Sequence, residues 1–267
     1  MNDERALPDT DLLYQRDSGL RLVDATVVAV DAESRLVALD KTVLFPGGGG
    51  QPSDAGVLTG LAEERNWPIV SARKSGNVVW HELGGDDPLP RVEDRLRVEL
   101  DWERRHRLMR MHTALHLLCG VVFRDYGALV TGGHMGPDRA RMDFEMDSSE
   151  FTPERVAEIE RKANEELRAS RDVRVRILPR DEAFQIPDLI RTKINLLPEG
   201  IAEVRTVEIV GLDLQADGGT HVQNTREVGS LRVVGTRSKG KANKRLEIEL
   251  TDPVESADSS GREGTNA

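Results

Sequence analysis

The sequence predicts an α+β fold, with an all-β first part followed by interleaved strands and helices, and three observations predict it. From Leu22 to Leu100 the chain runs in short apolar stretches, LVDATVVAV, RLVALD and VVWHEL, separated by Gly and Pro clusters. In the last stretch Leu96, Val98, Leu100 and Trp102 alternate with Arg95, Arg97, Glu99 and Asp101, the period of a half-buried strand. Beyond Asp101 the period changes. Leu108, Met111, Leu115, Leu118 and Val122 recur at three- and four-residue intervals, which predicts one helix from about Glu103 to Tyr126 with a single buried stripe.

The remaining elements follow from the same patterns. Met142, Phe144 and Met146 alternate with charged residues as a strand does. Thr152 offers an N-cap and Pro153 a first helical position for TPERVAEIERKANEELRAS, whose buried side is Val156, Ile159, Ala163 and Leu167. VRVRIL, VRTVEIV and RLEIEL supply further strands, the last with Leu246, Ile248 and Leu250 on one face. Small polar residues from Thr251 onward read as a disordered tail. The division is an extension at 1–20, a β domain with a Gly-rich motif at 21–101, an α+β domain at 102–250 and the tail at 251–267.

Composition narrows the function. Hydrophobic residues make up 38% of 267, enough for a core. No stretch approaches the roughly 18 apolar residues of a membrane span, and the acidic start MNDERALPDTD is unlike a secretion signal, so a cytoplasmic location and no membrane partner are expected. The single cysteine, Cys119, excludes an internal disulfide, and a metal site must therefore rest on His, Asp or Glu. A net charge of -10 argues against bulk attraction to phosphate; an RNA partner needs a local basic patch.

Four segments carry candidate chemistry. In MHTALHLL, His112 and His116 stand four apart on the expected helix, so both imidazoles leave one face. Such a pair also arises in ordinary cores, but residues 217 to 221 read Asp-Gly-Gly-Thr-His and add Asp217 and His221 around a glycine turn. Together they could form a tetrahedral zinc set, or three ligands and an open position. Thr113 occupies the place where an HExxH peptidase needs its glutamate, which disfavours amide hydrolysis. In PGGGGQPSDAG, Gly48, Gly49 and Gly50 let the backbone approach a ligand, with Gln51 and Asp54 able to bond a ribose or base; a flexible hairpin is the alternative. In GTRSKGKANKR, the spacing from Gly235 to Lys241 imitates a phosphate loop. However, Ala242 replaces the magnesium-binding hydroxyl and a strand follows, so no nucleotide cofactor is expected. The segment reads instead as a basic hairpin in which Lys239, Lys241, Lys244 and Arg245 contact an RNA backbone, or as a solvated turn.

Taken in order, GGGQPSDAG, RMHTALHLL, GGTHVQNTREVG and SKGKANKRLEI resemble the AlaX-type alanyl-tRNA editing proteins, free-standing relatives of the editing region of alanyl-tRNA synthetase, over about Leu22 to Leu250. The resemblance implies a small N-terminal β-barrel like that of translation factors. It further implies an α+β editing domain of the threonyl/alanyl-tRNA synthetase second-additional-domain type. The implied cofactor is Zn2+ on His112, His116 and His221. The implied partner is the acceptor end of alanine tRNA carrying serine or glycine, whose ester is hydrolysed in trans. Asp217 departs from the pattern, since the synthetase editing region usually has cysteine there; Asp217 either ligates zinc or stays off it and orients water. Cys119, three residues after His116, reads as a small core hydrophobe rather than a ligand.

The reaction has a physical rationale. A pocket built for alanine discriminates against serine or glycine by only about 10 to 200-fold, so a second site must inspect the product. Zinc there would polarise the ester carbonyl or activate water; alternatively it would position the substrate while a ribose hydroxyl or a loosely held water acts. Thr131 is the candidate for bonding the serine hydroxyl, His134 for contacting substrate or serving as a loop histidine, and Arg141 for meeting a tRNA phosphate or a strand-edge carboxylate. Two other functions compete: a metal-dependent hydrolase of another small ester or amide, and a non-catalytic RNA-binding module. The short polar tail after Leu250 leads to the expectation of a monomer.

Overall fold

The computed structural model describes residues 7–253 except 64, 195, 196, 198, 199, 239 and 241. The first part contains β1 (Asp11–Leu12), a 3-10 turn (Leu13–Gln15), β2 (Leu22–Asp31), β3 (Leu36–Leu39), β4 (Lys41–Thr42), β5 (Gly56–Gly60), β6 (Asn66–Ser75), β7 (Val78–Leu83) and β8 (Arg95–Leu100). Six of these close into a barrel in the order β2-β3-β7-β6-β5-β8. Alternation explains the closure. Leu96, Val98 and Leu100 of β8 point inward to join Val27, Val37, Leu39, Leu58 and Ile69. Residues 7–20 are more than an extension. Thr10 Oγ1 donates to Leu39 O at 3.1 Å and accepts Val79 N–H at 3.0 Å, and Tyr14 is buried edge-on against Phe45.

Trp102 opens a helix rather than prolonging β8. Asp101 caps α1 (Trp102–Tyr126) by accepting Arg104 N–H at 3.1 Å, and Gly127, at φ 64°, closes it. The single-stripe expectation falls short here, because every residue from Leu108 to Val122 is buried. The helix is enclosed on several sides by later parts of the chain. A helix buried all round is ordinarily apolar, so the buried Arg105, Arg110, His112, Thr113 and His116 stand out as polar residues that need a reason.

After α1 come β9 (Val130–Met135), β10 (Arg139–Glu145), α2 (Pro153–Arg168), β11 (Val173–Pro179), α3 (Arg180–Ala183), β12 (Glu203–Ile209), β13 (Asp213–Ala216), β14 (Ser230–Ser238) and β15 (Asn243–Thr251). They form an antiparallel sheet β14-β15-β10-β9 and a second sheet β11-β12-β13. Thr152 caps α2 by accepting Arg155 N–H, and Ile159, Ala163 and Leu167 are its buried side. The strand β9 is not legible from its glycines; it holds because Gly132 and Gly133 pair with β10 and Met135 N–H donates to Gly50 O at 3.1 Å. Thr251 pairs with Ser230 and Asp252 meets Arg110 Nη1 at 2.7 Å; residues from 254, where most of the expected tail falls, lie outside those described. Among the described residues no helix is long and apolar enough to cross a membrane.

One buried histidine makes the barrel sensitive to acid. His81 is fully buried, with Nε2 2.9 Å from Thr42 Oγ1 and Nδ1 3.1 Å from Val37 O. Burial lowers its pKa from the ordinary 6.5 to about 4, against the Val37 carbonyl, which raises it. The unfolded chain therefore binds the extra proton first, and stability falls as pH drops from about 6.5 to about 4, by about 3 kcal/mol from this group. Denaturant titrations across that window are expected to show a shallower pH slope for His81→Gln than for the wild type; an unchanged slope would remove His81 from this role.

Candidate metal centre

His112 and His116 occupy successive turns of α1, and the chain after β13 folds back over them through Asp217-Gly218-Gly219-Thr220-His221. The turn is closed by Gly219 N–H donating to Asp217 Oδ2 at 2.7 Å. Gly219 is required by the approach itself: a Cβ there would lie 2.4 Å from His112 Cε1 and 2.6 Å from His112 Nδ1. Gly218, by contrast, faces open space.

The turn brings four ligand atoms together. One atom from each of His112, His116, Asp217 and His221 lies within 4.8 Å of the others. Asp217 Oδ1 is 3.6 Å from His112 Nε2 and 3.8 Å from His116 Nε2, and Asp217 Oδ2 is 3.1 Å from His221 Nε2. A tetrahedral zinc with ligands at about 2.0–2.1 Å separates them by about 3.3 Å, so these spacings fit one. A further fact supports the fit. His221 Nδ1 lies 3.1 Å from Thr113 Oγ1, so the tautomer that donates there turns the Nε2 lone pair toward the Asp217 carboxylate, an arrangement that a shared cation makes favourable.

Protonation states agree with a cation site. Burial pushes His112 down to about 4 and, with the neighbouring His112, holds His221 well below its ordinary value. Burial opposes the Asp217 charge, but the imidazoles of His112, His116 and His221 keep its carboxyl well below the usual range. For His116 burial is likewise the largest influence and is outweighed by Asp213 and Asp217, which lift it to about 9. The cluster thus favours one positive charge among its carboxylates, and a metal ion can displace that proton.

His112, His116 and Asp217 of the cluster line a cavity of about 550 Å³, while His221 is buried and does not line it. Leu115, Met135, Met142 and Leu189 contribute apolar wall, while Gly49, Gly50 and Gly133 present backbone. Thr131 lines the same cavity, its hydroxyl donating to Asn243 Oδ1 at 3.3 Å.

Known proteins are similar to this chain in sequence. Residues 204–247 match the family described as the threonyl and alanyl tRNA synthetase second additional domain. The alanyl-tRNA editing protein AlaX-M of Saccharolobus solfataricus is 36% identical over 237 residues, covering 89% of this chain and 97% of that protein. The AlaX-M protein of Methanosarcina barkeri is 35% identical over 245 residues, covering 91% and 100%. This chain belongs to the AlaX-M family. An alanine-tRNA ligase of Ignicoccus hospitalis is 36% identical over 238 residues, 87% of this chain but 25% of the ligase.

The structure places several of the candidates read from the sequence away from the cavity. Asp54 does not face a ligand: it is buried, accepts Phe45 N–H at 2.6 Å and pairs with the buried Arg105, whose Nε is 2.9 Å from Oδ2. Gln51 braces the metal turn, its Nε2 donating to Thr220 Oγ1 at 2.9 Å and its Oε1 accepting Thr220 N–H at 3.1 Å. Gly49 and Gly50 reach the cavity and Gly48 does not line it. Lys244 is no surface phosphate contact, because it is buried and donates to Ser148 Oγ, Ser238 Oγ and Gly240 O. Arg245 forks onto Asp143 at 2.7 and 2.8 Å. Lys239 and Lys241 lie outside the described residues. Arg141 lines an adjoining recess with His134, which is exposed at the cavity edge. Cys119 is buried, and burial, aided by Asp213, pushes its thiol pKa up, so it stays a neutral thiol outside the ligand cluster.

Sequence reasoning missed Thr113 as a partner of His221, Asp213 beside His116 Nδ1 at 3.7 Å, and Arg205 behind Asp217. None of these carries a local signal, since each is defined by what faces it. The contact at Gly219 gives a direct test. Gly219→Ala is expected to displace the His112 ring and weaken zinc binding at least tenfold in a chelator competition, while Gly218→Ala changes it little. Equal affinities in the two variants would refute the packing argument.

Proposed function

We propose that this protein hydrolyses the ester that joins serine or glycine to alanine tRNA, acting in trans on the mischarged acceptor end with Zn2+ held by His112, His116, His221 and Asp217. The observation that carries the reading is the convergence of three imidazoles and one carboxylate, two of those imidazoles and the carboxylate lining a cavity of about 550 Å³, in a chain of the AlaX-M family. Bound zinc would supply Lewis-acid polarisation of the ester carbonyl, for which its coordination would expand beyond the four protein ligands. Asp217 is taken as the fourth ligand rather than a free base, because both of its oxygens face ligand imidazoles. Thr113 cannot act as a general base, and an activated ester, unlike an amide, does not demand one as strong.

The chain's own residues supply binding and exclusion. Apolar walls can hold the acceptor end while the open side of the cavity admits the water that hydrolysis consumes, and the glycine backbones at Gly49, Gly50 and Gly133 give a ribose room to lie close. Thr131 gives its proton to Asn243, which leaves its oxygen free to accept a hydrogen bond from the serine hydroxyl. Alanine offers no such donor. Phosphates of the tRNA end meet Arg141, at the recess adjoining the cavity, in preference to Lys244 and Arg245, whose donors are occupied internally.

Deacylation of serine-, glycine- and alanine-charged alanine tRNA, with zinc content measured in parallel, tests the proposal. The wild type is expected to release serine and glycine and spare alanine, and His116→Ala to lose both activity and zinc. Release from small free esters with no action on charged tRNA would favour the general hydrolase instead. No zinc and no release would favour the RNA-binding module. Thr131→Val is expected to lower serine release about tenfold, the worth of one hydrogen bond, with little change for glycine or zinc content; an equal loss for both amino acids would remove Thr131 as the serine contact.

A further inference from the structure

The segment before the barrel reaches the metal cluster through one side chain. Arg205, on β12, is buried; its Nε donates to Gln15 O at 2.9 Å and its Nη1 donates to Asp217 O at 2.9 Å. Asp217 N–H returns to Arg205 O at 3.1 Å, so the ligand residue's backbone is held on both its donor and its acceptor. Gln15 ends the 3-10 turn whose Tyr14 packs against Phe45, just ahead of the glycine loop. One guanidinium plane therefore spans the N-terminal segment and the residue that supplies the carboxylate to the cluster.

Stability alone does not account for this arrangement. A buried guanidinium carries a desolvation cost that an apolar side chain of similar volume avoids. Arg205 is also incompletely satisfied, because its buried Nη2 has no hydrogen-bond partner among the described residues. Its contacts instead converge on the residue whose direction decides whether four ligand atoms meet.

We propose that Arg205 is a positioning residue for the metal centre, fixing the Asp217 backbone against the N-terminal segment so that the carboxylate faces the three imidazoles. The inference rests on the reading of those four residues as a metal site. Positioning and charge make opposite demands. The guanidinium lies 3.7 Å from Asp217 Oδ2, and its positive charge by itself weakens the attraction for a dication, so on charge alone removing it should tighten binding. Outer partners that orient a metal ligand are worth about 10 to 100-fold in affinity, so positioning is expected to prevail.

Zinc dissociation constants of the wild type, Arg205→Met and Arg205→Lys, measured by chelator competition below each protein's unfolding transition, test the inference. Arg205→Met is expected to bind zinc 10 to 100-fold more weakly. Arg205→Lys, whose single ammonium cannot hold Gln15 O and Asp217 O in one rigid plane, is expected to fall between. A merely structural Arg205 would lower thermal stability and leave the folded protein's zinc affinity unchanged; that result, or tighter binding, overturns the inference. Should Arg205→Met fail to fold, Arg205→Lys decides on the same criterion. A wild type without stoichiometric zinc would instead defeat the metal reading itself, and this inference with it.

Discussion

The Gly219 backbone lies against the His112 imidazole at a distance no side chain would permit, and much else in the molecule serves that approach. It sets His221 and Asp217 over the two histidines of α1 and leaves His112, His116 and His221 buried with an ionised carboxylate between them. Such a group of polar side chains is costly to bury unless a cation is shared among them. The helix that carries two of them is accordingly enclosed on all sides, so that its backbone supplies a rigid base for both imidazoles.

Two buried guanidiniums fasten the barrel and the N-terminal segment to this base. Arg105 leaves the first turns of α1 and bonds Asp54, Val43 O and Ser18 O, fixing the strand and loop that carry the glycines. Arg205 leaves β12 and bonds Gln15 O and Asp217 O. Gln51 adds a third tie, from the glycine loop to Thr220 of the metal turn. The barrel is thus part of the site's construction: the loop it holds both walls the cavity and steadies a ligand. The ties are polar and geometrically specific, so the relation between barrel and cluster is set by hydrogen bonds as well as by apolar packing.

What the sequence revealed and what it withheld divide along a physical line. Features whose partners are near in sequence were readable: the four-residue spacing of His112 and His116, the glycine turn before His221, the alternation in β8 and the Thr152 cap all encode local geometry. Features whose partners are remote were not. Asp54 and Arg105 are 51 positions apart, and Asp143 and Arg245 are 102 apart, so nothing local distinguished these charges from ligand-binding ones. The glycines of β9 read as a loop because their strand geometry depends on β10 and on Gly50. Lys244 misled for the same reason: its neighbours suggested a basic surface, while its ammonium turns inward to close the hairpin. The helix around the histidines also hid its enclosure, since Arg105 and Arg110 broke an apolar pattern for reasons that only their partners explain.

The central claim is a cation site built from three imidazole nitrogens and one carboxylate oxygen, with sulfur excluded. X-ray absorption at the zinc edge of the loaded protein tests it most directly. The account predicts four nitrogen or oxygen neighbours at about 2.0–2.1 Å with imidazole scattering beyond them. A sulfur neighbour at about 2.3 Å would contradict it, because Cys119 would then have to reach the metal and the arrangement around Asp217 described here could not be the one that binds.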